Sequence, residues 1–301
     1  MANRTMAFLL FGVLTVPAQA QESVPKPIGE EAYRAVISFF DYERTIPLDV
    51  KVLSTSRTQS YVREKIVFTG GRGDRVPGYL ATPTSGTPPY PVVLTMHAGA
   101  TSKETWWEED SFEHGGKLTE GLLASGIAVL SLDAQYHGER SFNNDFLSIY
   151  EMYFEKEWMI RYRDMMIEST QDYLRALDYL ESRTEIDRSR IGVIGHSMGG
   201  MMTIYLSALS PSVRSAVVCI GAAYDARAYP VNPINFARSL GEIPILVLAG
   251  RTDPLIPAEA TELFFGLIDG DSKRLEFFDS GHQLPEEYVD RALAWFRETL
   301  R

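Results

Sequence analysis

Residues 190–202 read RIGVIGHSMGGMM, and they constrain the fold more than any other stretch. An apolar, β-branched run ends in Gly195-His196-Ser197-Met198-Gly199 and passes directly into an apolar segment of helical character. A strand that turns sharply into a helix needs small residues on both sides of the turn. The side chain at the apex is thrust out of the sheet, and here it is a serine hydroxyl. This Gly-x-Ser-x-Gly arrangement is the strand–turn–helix context of a nucleophile elbow.

The rest of the chain supplies a sheet for that elbow. Strands are expected over 64–69, 78–82, 92–97, 127–132, 191–195, 213–220, 245–249 and 275–278, and helices over 118–125, 165–182, 198–209, 257–268 and 285–300. Several of the strands are unbroken apolar runs, as in a sheet covered on both faces. Their alternation with helices predicts an α/β architecture, a mainly parallel eight-stranded sheet with right-handed crossovers and helices on both faces. The elbow leaves the fifth strand.

Residues 1–20 are of another kind. Arg4 precedes an apolar core over 6–16, and Pro17-Ala18-Gln19-Ala20 offers the small residues a signal peptidase reads. A signal peptide cleaved after Ala20 is expected, and with it a periplasmic or secreted location and no stable membrane insertion afterwards. Residues 21–60 form a lead-in with a short helix at 30–40, and 61–301 the main domain. Within it, 142–163 is rich in aromatics and charge. Two readings stand: a short cap insert over the rim of the site, or an irregular extension of the helix that follows.

A net charge of −11 argues against nucleic acid as a partner, since phosphate binding calls for a basic face. The single cysteine, Cys219, sits in the apolar run Val217-Val218-Cys219-Ile220 and is expected in the core. No Cys/His pair has metal-ligand spacing. The sequence leaves the oligomeric state open.

A serine hydroxyl needs a base to take its proton, and the base needs an oriented partner. Of the five histidines, only His282 follows both Ser197 and a plausible acid; it lies between the last strand and the last helix. The acid is expected on the loop after the strand at 245–249, where Asp253 stands before Pro254. Asp269, Asp271 and Asp279 are its rivals. Negative charge on a tetrahedral oxygen requires two N–H donors. One is the backbone of Met198. The other is expected from the loop after the strand at 92–97, from Gly99 or alternatively Ala98. His97 reads as a brace of that loop, and His137 and Arg140 as braces of the loop after 127–132. Trp106 and Tyr224 are candidates for a substrate pocket.

Taken together, His97-Ala98-Gly99, Gly195-His196-Ser197-Met198-Gly199-Gly200, Gly250-Arg251-Thr252-Asp253 and Ser280-Gly281-His282 resemble the signature loops of the α/β-hydrolase superfamily. The segment LDAQYHGERS over 132–141 is similar to the Asp-x-x-x-His-Gly segment of esterases near the dienelactone hydrolase and acetyl xylan esterase branches. The resemblance covers about 60–301. It implies an α/β-hydrolase fold, a triad of Ser197, Asp253 and His282, no cofactor, and small-molecule esters as substrates. Dienelactone hydrolase itself carries cysteine where this chain has Ser197, and many relatives read His-Gly where it reads His97-Ala98. Two other functions share such a fold: a peptidase or amidase of the prolyl-oligopeptidase type, and a catalytically silent binding protein. A lead-in of about 40 residues is too short for the propeller of the former.

Overall fold

The computed structural model describes residues 26–222 and 230–301; residues 1–20, expected to be a signal peptide, and Tyr224 lie outside the described residues. Nine strands form one sheet, in the order β1-β2-β3-β5-β4-β6-β7-β8-β9. They are β1 (Lys51–Arg57), β2 (Tyr61–Thr69), β3 (Arg75–Pro83), β4 (Tyr90–Met96), β5 (Ala128–Leu132), β6 (Ile186–His196), β7 (Val213–Cys219), β8 (Ile245–Gly250) and β9 (Lys273–Phe278). The six strands from β5 to β9 in that order run parallel, while β1, β2 and β3 pair antiparallel with their neighbours.

The sheet thus has one strand more than the apolar pattern predicts. All seven residues of β1 are exposed, so the segment KVLSTSR carries no inside–outside alternation to betray it. It is held by its ladder to β2, whose register slips between Val52 and Ser54.

Among the described residues six α-helices cover the sheet: α1 (Glu30–Ile37), α2 (Gly115–Ala124), α3 (Met159–Glu181), α4 (Met198–Leu209), α5 (Ala258–Leu267) and α6 (Glu287–Thr299). Side chains alternate between two cores. Val193, Val218 and Val247 join α1, α3, α4 and α5 on one face; Ile194, Val217 and Leu248 join α2 and α6 on the other. Each fully buried Val, Leu or Ile here contributes roughly 1.5–3 kcal/mol relative to exposure. Cys219 is fully buried in the second core, and burial pushes its thiol pKa up, away from reactivity.

Helix α3 begins six residues earlier than its periodicity predicts, so the end of the 142–163 stretch is its first turns. The remainder is short-turned: a 3-10 helix at Gly138–Asn144 and a single π-helical turn at Glu151–Glu155. Between them Ile149 reaches the loop after β4. A methyl placed on Gly99 would lie 3.0 Å from Ile149 Cγ2.

Candidate active site

Ser197 stands where β6 becomes α4, with φ 54° and ψ −112°. A non-glycine residue in that region costs on the order of 1–3 kcal/mol and persists only where the surroundings fix it. Its N–H donates to Cys219 O at 2.9 Å, and its carbonyl accepts from Met201 N at 3.0 Å. The flanking glycines are steric requirements. A Cβ on Gly195 would lie 2.8 Å from Thr203 Oγ1 and closer still to the Gly199 carbonyl. One on Gly199 would lie 2.7 Å from His97 O and run into the carbonyl of Met96. The elbow can therefore press against β4 only without side chains at those positions.

The three residues nominated for the triad meet. Ser197 Oγ lies 2.8 Å from His282 Nε2, and His282 Nδ1 lies 2.8 Å from Asp253 Oδ2. With Nδ1–H donating to the carboxylate, Nε2 is left to accept the serine proton. His282 is 21% exposed, whereas the Asp253 side chain is fully buried. Asp253 serves its turn and its partner at once. Oδ1 accepts the N–H groups of Leu255 (2.8 Å) and Ile256 (3.1 Å), which fixes the carboxylate plane and frees Oδ2 for the imidazole. The rivals point elsewhere: the Asp279 side chain is 98% exposed beside Arg251, and Asp269 and Asp271 are exposed.

The loop after β4 presents the N–H groups of Ala98 and Gly99 differently. The Ala98 N–H donates to Glu113 Oε1 at 3.0 Å and is spent. The Ala98 carbonyl is held inward, accepting from His97 Nδ1 at 2.8 Å and Thr101 N at 3.2 Å. In a planar trans peptide the N–H points opposite to the C=O, so the Gly99 N–H faces away from the loop interior. It has no acceptor among the described residues. A Cβ on Gly99 would lie 3.7 Å from Met198 Cβ, which places this peptide beside the first residue of α4. The Met198 N–H is one of the orphan donors of a helix start.

Behind this loop lies a polar brace. His97 Nε2 accepts from Ala134 N at 3.1 Å, and His137 spans the carbonyl oxygens of Gln135 (2.8 Å) and Gly99 (2.9 Å). Lys103, almost fully buried, binds Asp133 Oδ2 at 2.7 Å and Glu139 Oε1 at 2.6 Å. Arg140 binds Asp172 at 2.7 Å and also Asp74, tying the β5 loop to α3 and to the turn before β3. The bracing expected of His97, His137 and Arg140 is what these contacts describe. Lys103 and Glu113 were not singled out from the sequence. Their partners lie 30 and 15 residues away, and a lone Lys or Glu near a loop carries no periodic signal. Trp106 is fully buried in the α2/α6 core, and its neighbour Trp107 donates from Nε1 to Ser131 Oγ at 3.1 Å.

Two histidines here are kept neutral. Burial, helped by His137, pushes His97 down to about 4. Burial likewise brings His196 down to about 4 against the pull of Glu113, and its ring packs between Phe112 and Tyr288. Burial alone would raise the Glu113 carboxyl; hydrogen bonds from Thr101, Thr105 and Ala98 override it and hold it low. The unfolded chain binds protons at both imidazoles near pH 6.5, which the native state refuses until about pH 4. Stability is therefore expected to fall as pH drops from 6.5 towards 4, by as much as about 3 kcal/mol per pH unit. Urea midpoints measured at pH 7 and pH 5 check this; a flat profile would contradict it.

The comparisons with known proteins agree with the fold. The chain is 26% identical over 178 residues to "Putative hydrolase YtaP" of Bacillus subtilis (strain 168), spanning 58% of this chain and 56%, little over half, of that relative. To a "Putative carboxymethylenebutenolidase" of Yersinia pestis it is 23% identical over 222 residues, 72% of this chain and 77% of that one. Acetyl xylan esterase 1 from Thermoanaerobacterium superposes with a TM-score of 0.69 at 17% identity, over 92% of this chain and 96% of that one. No helix among the described residues is long and apolar enough to cross a membrane. The profile of the Dienelactone hydrolase family matches residues 76–278, two thirds of the chain, and on that match the protein belongs to this family of α/β-fold hydrolases.

Proposed function

We propose that the protein is a carboxylesterase that works through an acyl-enzyme on Ser197. The observation that carries this reading is the unbroken relay from Ser197 Oγ to His282 to Asp253, 2.8 Å at each step. His282 Nε2 takes the serine proton as Oγ attacks the ester carbonyl, and Asp253 stabilises the imidazolium that forms. The developing oxyanion is met by the N–H groups of Met198 and Gly99. His282 returns the proton to the leaving alcohol. Water then attacks the acyl-enzyme with His282 as base, releasing the acid and restoring Ser197.

Small-molecule esters fit this site as substrates, and residues around 142–163 act as its cover, with Ile149 against the oxyanion loop. The apolar segment over 6–16 and the small residues before position 21 support export, so the enzyme works in the periplasm or outside the cell. A fluorophosphonate probe tests the chemistry directly. It is expected to add to the peptide containing Ser197 and to abolish turnover of p-nitrophenyl acetate in proportion to labelling. A chain that neither reacts with the probe nor turns over the ester is a binding protein on a hydrolase fold.

A further inference from the structure

Glu113 stands two residues before α2, outside the triad and the nominated oxyanion donors, yet it holds three donors in and just after the loop that carries Gly99. Its side chain is fully buried. Oε1 accepts the Ala98 N–H at 3.0 Å and the Thr101 hydroxyl at 2.7 Å, and Oε2 accepts the Thr105 hydroxyl. The same short segment supports the base. The Phe112 ring lies 6.3 Å from the His282 ring, and the Phe112 carbonyl accepts from Gln283 Nε2 at 3.1 Å. The Glu113 carbonyl is itself fixed by the Tyr288 hydroxyl of α6.

We propose that Glu113 is a positioning residue: by engaging the N–H of Ala98 it leaves the next N–H, that of Gly99, as the donor presented to the substrate oxygen. The inference rests on the esterase reading above. Its physical basis is a competition between adjacent peptides. Ala98 and Gly99 each carry one N–H; here the first is turned to Glu113 and the second has no acceptor among the described residues. Glu113 takes the first and anchors the loop through Thr101 and Thr105, so the second is fixed before substrate arrives. Such preorganisation is what makes an oxyanion donor effective. A carboxylate suits the task because its two oxygens can serve three converging donors. Those donors also spread its charge, which limits repulsion of the negative oxygen forming nearby.

The test compares E113L and E113Q with wild type on p-nitrophenyl acetate, and measures inhibition by a trifluoromethyl ketone that mimics the tetrahedral intermediate. Leucine fills the space without an acceptor; glutamine keeps an oxygen for Ala98 and Thr101. In E113L, kcat is expected to fall by about 10²–10³, the loss typical of one oxyanion donor, with KM within about threefold. Inhibitor affinity should fall in step with kcat/KM, and E113Q should keep kcat within about tenfold of wild type. If E113L does not fold, E113D decides: it keeps the charge but cannot reach Ala98, and should lose kcat as E113L would. The proposal is overturned by kcat within about twofold of wild type in E113L or E113D, by a loss confined to KM, or by E113Q falling as far as E113L. Wild-type turnover and Ser197 labelling are run alongside, so an inert wild type counts against the esterase reading and not against Glu113.

Discussion

Replacing Ser197 by alanine is expected to lower kcat for p-nitrophenyl acetate by roughly 10⁵–10⁶, leaving only what the oxyanion donors and binding supply. The size follows from the geometry. Oγ makes the bond to the acyl carbon, and with it gone the imidazole 2.8 Å away has no proton to take. The fold should be indifferent. Ser and Ala both carry a Cβ, so the positive φ at the elbow is equally strained in either, and among the described residues the hydroxyl bonds only to His282. Circular dichroism and the urea midpoint should match wild type. A variant that retained more than about a hundredth of the activity would rule out Ser197 as the nucleophile.

The second large effect concerns stability. Arg140→Leu is expected to cost about 3–5 kcal/mol, because it strips the counter-charge from buried Asp172 and half-buried Asp74. Burial already raises the Asp172 carboxyl above its ordinary value even with the guanidinium present. Without it, burial would raise the Asp172 carboxyl further and favour its protonated form in the native state. Leucine at 140 should therefore destabilise most at high pH and least in acid, the reverse of the histidine-driven trend of the parent. Urea unfolding across pH 5–8 measures both. A loss below about 1 kcal/mol throughout would show that the guanidinium is not holding the loop. Activity should suffer too, since this network anchors the β5 loop from which His137 reaches the Gly99 carbonyl.

Much of this was legible in the sequence, for reasons that differ by residue. The elbow announces itself because close packing against β4 and β7 excludes side chains at fixed offsets from Ser197. His282 was found by order along the chain, and Asp253 by its place after a wholly apolar strand. Covered parallel strands are plain apolar runs, so seven of the eight predicted strands needed only boundary adjustment, and 191–195 grew backwards to Ile186 through the polar stretch DRSR. What stayed hidden has no local signal. Strand β1 is exposed along its whole length and exists through pairing alone. The capture of the Ala98 N–H depends on a carboxylate from another loop, and the Lys103–Asp133 pair on two segments meeting in the core. Such contacts are products of the tertiary fold and leave no periodicity behind.

The lone polar strand at the margin of the sheet has a consequence for life in a crowded solution. A strand paired on one side offers its other row of amides and carbonyls to any passing chain, and a long flat apolar one would invite fibrous stacking. Here the ladder to β2 slips in register between Val52 and Ser54, Lys51 and Arg57 charge the two ends of the strand, and Ser54, Thr55 and Ser56 lie exposed along it. The exposure that made β1 invisible to an apolar pattern search thus also makes it a poor template for fibrous stacking, while the core stays strongly β-forming.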